Sequence, residues 1–169
     1  MHKKVEKKLF NLFTGELTAT ILFVIVWFLY LRTYDWGPAY LAALPTIYAF
    51  FLLEFILLQG SCYWYLKWKQ VKNKDFTNLP VKQLKVFAFF KRLNLLLIIV
   101  GFVLLIVQLI QMPAYFYLYL FVFLFAMIEY INYFHIRLSY MSAGEIKEFV
   151  RQKGFRSSKL AKELKDLKF

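Results

Sequence analysis

The chain has 169 residues, 61% of them apolar and 21% aromatic, and it carries a formal net charge of +12. A soluble domain of this length buries far less apolar surface than this composition supplies, so an all-α integral membrane protein is predicted instead. The basic residues flank apolar runs and do not line a polar fold. This pattern excludes nucleic acid as the partner and favours a lipid bilayer with anionic headgroups.

The first predicted hairpin occupies residues 1–66, with spans at about 12–34 and 38–66. A helix needs about 20 residues to cross a hydrocarbon layer of ~30 Å, and both apolar runs reach that length. The turn between them is Asp35-Trp36-Gly37-Pro38. Gly permits the backbone conformations that a tight turn needs, and Pro is favoured in the first turn of the helix that follows. No small-residue cleavage site follows the long first run, so we expect an uncleaved first span.

A basic loop at 67–85 leads to the second predicted hairpin at 86–140. Its spans lie at about 88–112 and 113–137, with only Gln111-Met112-Pro113 between them. The sequence therefore predicts four transmembrane helices arranged as two tandem hairpins.

Charge sorting predicts the orientation of these spans. Of the 22 Lys and Arg residues, 21 lie in the segments 3–8, 67–92 and 137–168. Cytoplasmic loops of membrane proteins are enriched in Lys and Arg. We therefore expect a multi-pass protein of the cell membrane, with both termini and the 67–85 loop in the cytoplasm.

The tail at 141–169 is predicted to be cytoplasmic, amphipathic and helical. Ser142 and Glu145 form a capping box that starts a first helix ending near Gly154. A second short helix begins at about Ser158. Three leucines share one of its faces: Leu160, Leu164 and Leu167. Four lysines occupy much of the remainder: Lys159, Lys162, Lys165 and Lys168. These lysines are the predicted surface for anionic headgroups or for a protein partner, the alternative being a solvated flank that only sets topology.

The two hairpins are related by a shift of 75 residues. This shift aligns 16–66 with 91–141 without a gap and gives nine identities in 51 positions. Pro38-Ala39-Tyr40 falls on Pro113-Ala114-Tyr115, and a glutamate follows sixteen residues after each Pro. Because both hairpins begin in the cytoplasm, a parallel internal repeat is predicted.

Two acidic residues lie inside the predicted spans, Glu54 in the second and Glu129 in the fourth. A carboxylate there costs about 2.5–3.5 kcal/mol on insertion scales, so each needs a proton, a partner or water. Three polar residues complete the candidate set: Asn94, Asn132 and His135. Further candidate partners lie at the inner ends of the first and third spans: Glu16, Lys91 and Arg92. The two glutamates would either share a proton or cation, or each serve as a hydrogen-bonded contact between helices.

Three functions are compatible with these features. The first is a non-enzymatic accessory, regulatory or immunity-type factor that acts through lipid or protein partners at the cytoplasmic face. The second is a small transporter or channel, including a homo-oligomeric one, that couples to protons or cations through Glu54 and Glu129. The third is a lipid enzyme with Glu129 and His135 as acid and base. No catalytic motif is present, and neither a metal nor a cofactor is predicted.

Overall fold

The computed structural model describes residues 2–137 and 157–167 and contains six α-helices within these ranges. They are α1 (His2–Thr33), α2 (Gly37–Leu41), α3 (Leu44–Lys72), α4 (Val81–Gln111), α5 (Phe116–Phe134) and α6 (Lys159–Lys165). Helix makes up 84% of the described residues, which contain no strand beyond an isolated bridge between Ile136 and Ser157. The all-α class is confirmed, and α1, α3, α4 and α5 are long and apolar enough to cross a membrane.

Three of the long helices run past the predicted spans. α1 begins at His2 instead of about residue 12, α3 continues to Lys72 instead of about 66, and α4 begins at Val81 instead of about 88. The added turns, residues 2–11, 67–72 and 81–87, contain nine Lys, which is a good helix former. Because many of these residues are polar, hydropathy alone omits them. The loop between the hairpins therefore shrinks from 67–85 to 73–80.

The second predicted span is interrupted near its start. Instead of one helix from Pro38, the chain forms the short α2, an extended residue at Ala43 (ψ 131°), and then α3. Pro45 lies in the first turn of α3. A proline there has no N–H to donate to Leu41, and its ring would clash with that carbonyl, so a continuous helix is broken just before it. The fourth predicted span is also shorter than expected, because α5 ends at Phe134 instead of about residue 137.

α3 is the central helix of the bundle. It packs most extensively against α1 and α5, and less against α4. Of its most apolar 18-residue stretch 61% is buried, compared with 6% for α1. Trp27 of α1 stacks on Phe50 of α3 with ring centroids 4.0 Å apart, so aromatic contacts fill part of this interface.

Two glycines let aromatic rings approach the helix backbones. The Tyr133 ring of α5 occupies the place of a Cβ at Gly60 of α3, and the Phe123 ring does the same at Gly101 of α4. Any larger residue at either position would displace the ring. These glycines therefore set the spacing of α5 from its two neighbours.

The hairpins differ in how tightly their helices pack. α1 lies along α3 with extensive contact, whereas α4 and α5 make few contacts with each other. A helix corresponding to α2 is also missing after Pro113, where a turn leads directly into α5. The parallel internal repeat therefore stays a prediction from the sequence.

Candidate functional site

The basic segments of the chain meet at one end of the bundle. This basic end comprises the first turns of α1 and α4, the last turns of α3 and α5, the 73–80 loop and α6. The His2 ring contacts the Val71 carbonyl at 2.7 Å, and the Tyr130 hydroxyl donates to the Lys91 carbonyl at 3.3 Å. Side chains that lie far apart in the sequence thus form a common surface.

A cavity of about 450 Å³ lies within the basic end. Its walls come from α1, α3, the end of α5 and the start of α6. The aliphatic lining residues are Val5, Leu9, Leu12 and Leu160, and the aromatic ones are Tyr63, Trp64 and Tyr133. The cavity is therefore largely apolar, although it is built where the chain carries most of its charge.

Four basic side chains also line the cavity: Lys4, Lys8, Arg137 and Lys159. Against them stands a single acidic lining residue among those described, Glu16. The Lys159 side chain is exposed overall, but partial loss of water around its ammonium and then the positive charge of Lys67 lower the pKa of Lys159, while Glu163 acts in the opposite direction.

Glu16 joins three helices at the cavity wall. Its carboxylate accepts a hydrogen bond from Trp64 Nε1 of α3 at 2.9 Å and another from the Tyr133 hydroxyl of α5. The Tyr133 ring reaches this position because Gly60 leaves room for it. Glu16 is therefore a structural link between α1, α3 and α5.

α6 closes one side of the cavity. Ser158 caps this helix by accepting from the Ala161 N–H at 3.0 Å, and its hydroxyl donates to the Tyr133 carbonyl. The Ser158 N–H donates to the His135 carbonyl at 3.1 Å. Leu160 is buried, and Leu164 and Leu167 pack on the core. The predicted leucine face exists, and it contacts the bundle.

A buried ion pair fastens α6 to the rest of the basic end. Lys67 Nζ lies 2.9 Å from Glu163 Oε1, with only 2% and 3% of the two side chains exposed. Lys67 also donates to the Thr77 carbonyl at 2.9 Å, and Glu163 Oε2 accepts from the Leu79 N–H at 3.2 Å. The pair is thus hydrogen-bonded on both sides, as a buried pair requires.

The 73–80 loop is ordered by its own polar contacts. Asp75 accepts hydrogen bonds from the Gln70 side chain and from the Thr77 N–H, both at 2.9 Å, and these bonds lower the pKa of Asp75 to about 2. Asn78 then donates to Asp166 beyond α6 at 3.1 Å. The loop and α6 form one connected polar surface.

The predicted polar set is divided among different partners. Glu129 accepts from Asn132 at 3.2 Å, and Asn132 also lines the cavity. Asn94, fully buried, forms a reciprocal amide pair with Gln59 at 2.7 and 3.2 Å. Glu54 is buried, and neither of its carboxylate oxygens has a hydrogen-bond partner among the described residues.

His135 directly follows α5. Its ring packs edge-on against Tyr130 with centroids 5.3 Å apart, and its carbonyl accepts the bond from Ser158. No hydrogen bond within residues 2–137 and 157–167 joins Glu54 to Glu129. Those ranges also contain no cluster of three His, Cys, Asp or Glu side chains that would hold a metal ion.

Part of the predicted tail lies outside the described residues. This applies to Lys168 and to the predicted helix between Ser142 and Gly154. The other three tail lysines, Lys159, Lys162 and Lys165, are exposed on α6. Lys159 faces the cavity, whereas Lys162 and Lys165 are not among its lining residues.

No protein-family model matches the chain, and no curated protein or solved structure is significantly similar to it. Its function is therefore inferred from the chemistry of the basic end and of the buried polar contacts.

Proposed function

We propose that this chain is a four-span integral membrane protein that acts without catalysis at its cytoplasmic face. In this proposal it is an accessory, regulatory or immunity-type factor that works through anionic lipid or a protein partner. The observation that carries the proposal is the cavity of the basic end, which combines apolar walls with four cationic side chains. That combination suits an anionic partner with an apolar part.

Membrane insertion is supported by the apolar surface that the bundle leaves uncovered. α1 and α4 expose long rows of large apolar side chains, among them Ile21, Leu22, Ile25, Leu96, Val103 and Ile110. Monomeric soluble proteins rarely expose contiguous apolar patches above a few hundred Å². Lipid chains would cover these rows in a bilayer.

The proposed orientation places the basic end in the cytoplasm, following the positive-inside bias. The opposite end carries aromatic rings in mutual contact, with Tyr34 stacked on Trp36 at 5.4 Å and Tyr40 edge-on to Trp36 at 5.8 Å. Tyr and Trp are enriched at membrane–water interfaces. Both ends of the bundle are therefore compatible with a spanning arrangement.

A non-enzymatic role is supported by how Glu16 is used. Among the described residues, Glu16 is the acidic residue that lines the cavity. Trp64 and Tyr133 both donate hydrogen bonds to its carboxylate. A general base needs to be within hydrogen-bond reach of the proton it removes and available to receive it. Glu16 instead serves to join helices.

Two measurements test this proposal. In a Cys62→Ser background, Lys74→Cys should be labelled by an impermeant thiol reagent only after cells are opened, and Asp35→Cys should be labelled in intact cells. Labelling of residue 74 on intact cells would overturn the orientation. Lipid that co-purifies with the protein should be enriched in anionic species and stay chemically unchanged on incubation. Conversion of that lipid to a product would overturn the non-enzymatic assignment.

A transporter or channel is the second candidate, because Glu54 is buried with both carboxylate oxygens unpartnered. Burying an unpaired carboxylate is costly, and binding a proton or a cation would remove that cost. Purified protein in liposomes should then dissipate a proton or cation gradient, and Glu54→Gln should abolish the flux. Vesicles that remain tight with the unmodified protein would exclude this candidate.

A further inference from the structure

The cavity has the size and lining of a ligand site. Its volume of about 450 Å³ falls within the roughly 300–1,000 Å³ that is usual for small-molecule pockets. A wholly polar anion would leave its aliphatic and aromatic walls without a contact, whereas a neutral hydrocarbon would offer no ionic contact to Lys4 and Lys159. The lining therefore fits a molecule that is anionic at one end and apolar at the other.

The lining residues of α1 follow an order along the helix. Lys4 and Lys8 lie one turn apart near its start, Leu9 and Leu12 follow, and Glu16 comes last. At 1.5 Å per residue, Lys4 and Glu16 are roughly 18 Å apart along the axis. The wall that α1 contributes thus changes from cationic to apolar to acidic along the helix.

This order fixes how an amphiphile would lie. An anionic headgroup is attracted to the lysine end and repelled from the Glu16 end, so its chain must run towards Leu12 and Trp64. In the proposed orientation that direction leads from the cytoplasmic surface into the bilayer. A lipid of the cytoplasmic leaflet already has this polarity.

We propose that the cavity binds one anionic phospholipid of the cytoplasmic leaflet. Lys4 and Lys159 contact the headgroup phosphate, and one acyl chain lies against Leu9, Leu12 and Leu160. The inference rests on the proposed function, since it names the ligand of the same basic end. Because Lys159 and Leu160 belong to α6 and its first turn, the lipid also contacts the helix that closes the cavity.

The site is tested by native mass spectrometry on delipidated full-length protein in a neutral detergent. Phosphatidic acid and phosphatidylcholine with identical acyl chains are compared, and inorganic phosphate is added as competitor. We expect one phosphatidic acid per protein, bound at least tenfold more tightly than phosphatidylcholine, and little competition by millimolar phosphate. Equal binding of the two lipids, or full displacement by phosphate alone, would overturn the proposal.

Matched variants separate a site from general electrostatic attraction. Lys4→Gln/Lys159→Gln should weaken phosphatidic acid binding at least tenfold. Lys82→Gln/Lys85→Gln removes the same charge from exposed positions of α4 outside the cavity lining and should change the affinity less than threefold. Equal losses of affinity in the two double variants would show that lipid binding depends only on the net charge of the protein, and would refute the site.

A cavity-filling variant tests the apolar part without altering charge. Leu12→Trp should block the acyl-chain position and weaken binding at least tenfold, with circular dichroism and gel filtration confirming the fold. Normal lipid binding by a folded Leu12→Trp protein would place the chain elsewhere and refute the proposal. The thiol-labelling experiment is independent of these measurements. Selective lipid binding with failed topology would preserve the lipid site but overturn its assignment to the cytoplasmic leaflet. Correct topology without selectivity would overturn the site and leave the proposed function standing.

Discussion

Replacing Lys67 by methionine should detach α6 from the basic end. At 2.9 Å and an effective dielectric constant of 20, the attraction between Lys67 and Glu163 amounts to roughly 6 kcal/mol before desolvation is subtracted. Removing one partner leaves the other charge buried without compensation, which costs about 3–5 kcal/mol. Because α6 has only seven residues, we expect this cost to appear as local opening of that helix rather than as global unfolding.

Amide hydrogen exchange of residues 159–165 measures this opening directly. A loss of 3 kcal/mol corresponds to more than a hundredfold decrease in protection, since 1.4 kcal/mol is a factor of ten. Lys69→Met is the matched control, because Lys69 is exposed on the same helix two residues later. It should change the protection of α6 by less than threefold.

A double substitution separates the ion pair from the shape of the site. Lys67→Met/Glu163→Leu removes both charges and leaves apolar groups facing each other, and such replacements of buried pairs are often neutral or stabilising. Protection of α6 should therefore return towards that of the unmodified protein. If Lys67→Met alone leaves exchange of α6 unchanged, the pair does not hold this helix and the reasoning is refuted.

Three further substitutions test the contacts between the long helices through thermal unfolding in detergent. Gly60→Ala should destabilise the protein by about 1–3 kcal/mol, because the added methyl displaces the Tyr133 ring; a neutral effect would mean that the ring moves without cost. Gln59→Leu leaves the buried Asn94 amide unpaired and should cost about 1–3 kcal/mol, whereas adding Asn94→Leu should restore much of the loss. Glu54→Leu should leave stability unchanged or raise it, because it removes a buried carboxylate without a partner; a clear loss would reveal a partner that binds this group.

The four long apolar helices could be predicted from the sequence because each apolar run exceeds the length that a bilayer requires. Their ends could not, since the turns beyond the apolar runs depend on helix propensity and not on hydropathy. The interruption before α3 was missed by the prediction of one span at 38–66, although Pro45 is incompatible with a helix that continues from Pro38. The start of α6 agrees with the second tail helix predicted from about Ser158, and the structure shows Ser158 as its capping residue.

The side-chain contacts of the basic end could not be predicted from the sequence, because they join residues that are far apart along the chain. Glu16 was expected only as a partner for Glu54 or Glu129, yet it receives hydrogen bonds from Trp64 and Tyr133. That arrangement needs the space left by a glycine on a different helix. The sequence showed Glu16 only as a single carboxylate at the border of a long apolar run, which does not indicate its partners.

Lys67 shows why a count of basic residues is too coarse. As one of several lysines in the predicted 67–85 loop, it was interpreted mainly as a sign that this loop is cytoplasmic. In the structure it is buried by α6, whose acidic residue comes from near the end of the chain. Pairing at such sequence separation is decided by packing, so no local pattern predicts it.

The ion pair and the cavity are best understood together. A buried ion pair contributes little net stability compared with apolar residues of the same volume, so its value lies in fixing position. Here it fixes the register of α6 on the 73–80 loop, and this register places Ser158, Lys159 and Leu160 on the cavity wall. With an apolar contact in place of the ion pair, the orientation of α6 would depend on the hydrogen bonds of Ser158 to Tyr133 and His135 at its start. This buried charge pair thus lies at a junction where the shape and polarity of the cavity depend on a single orientation of α6.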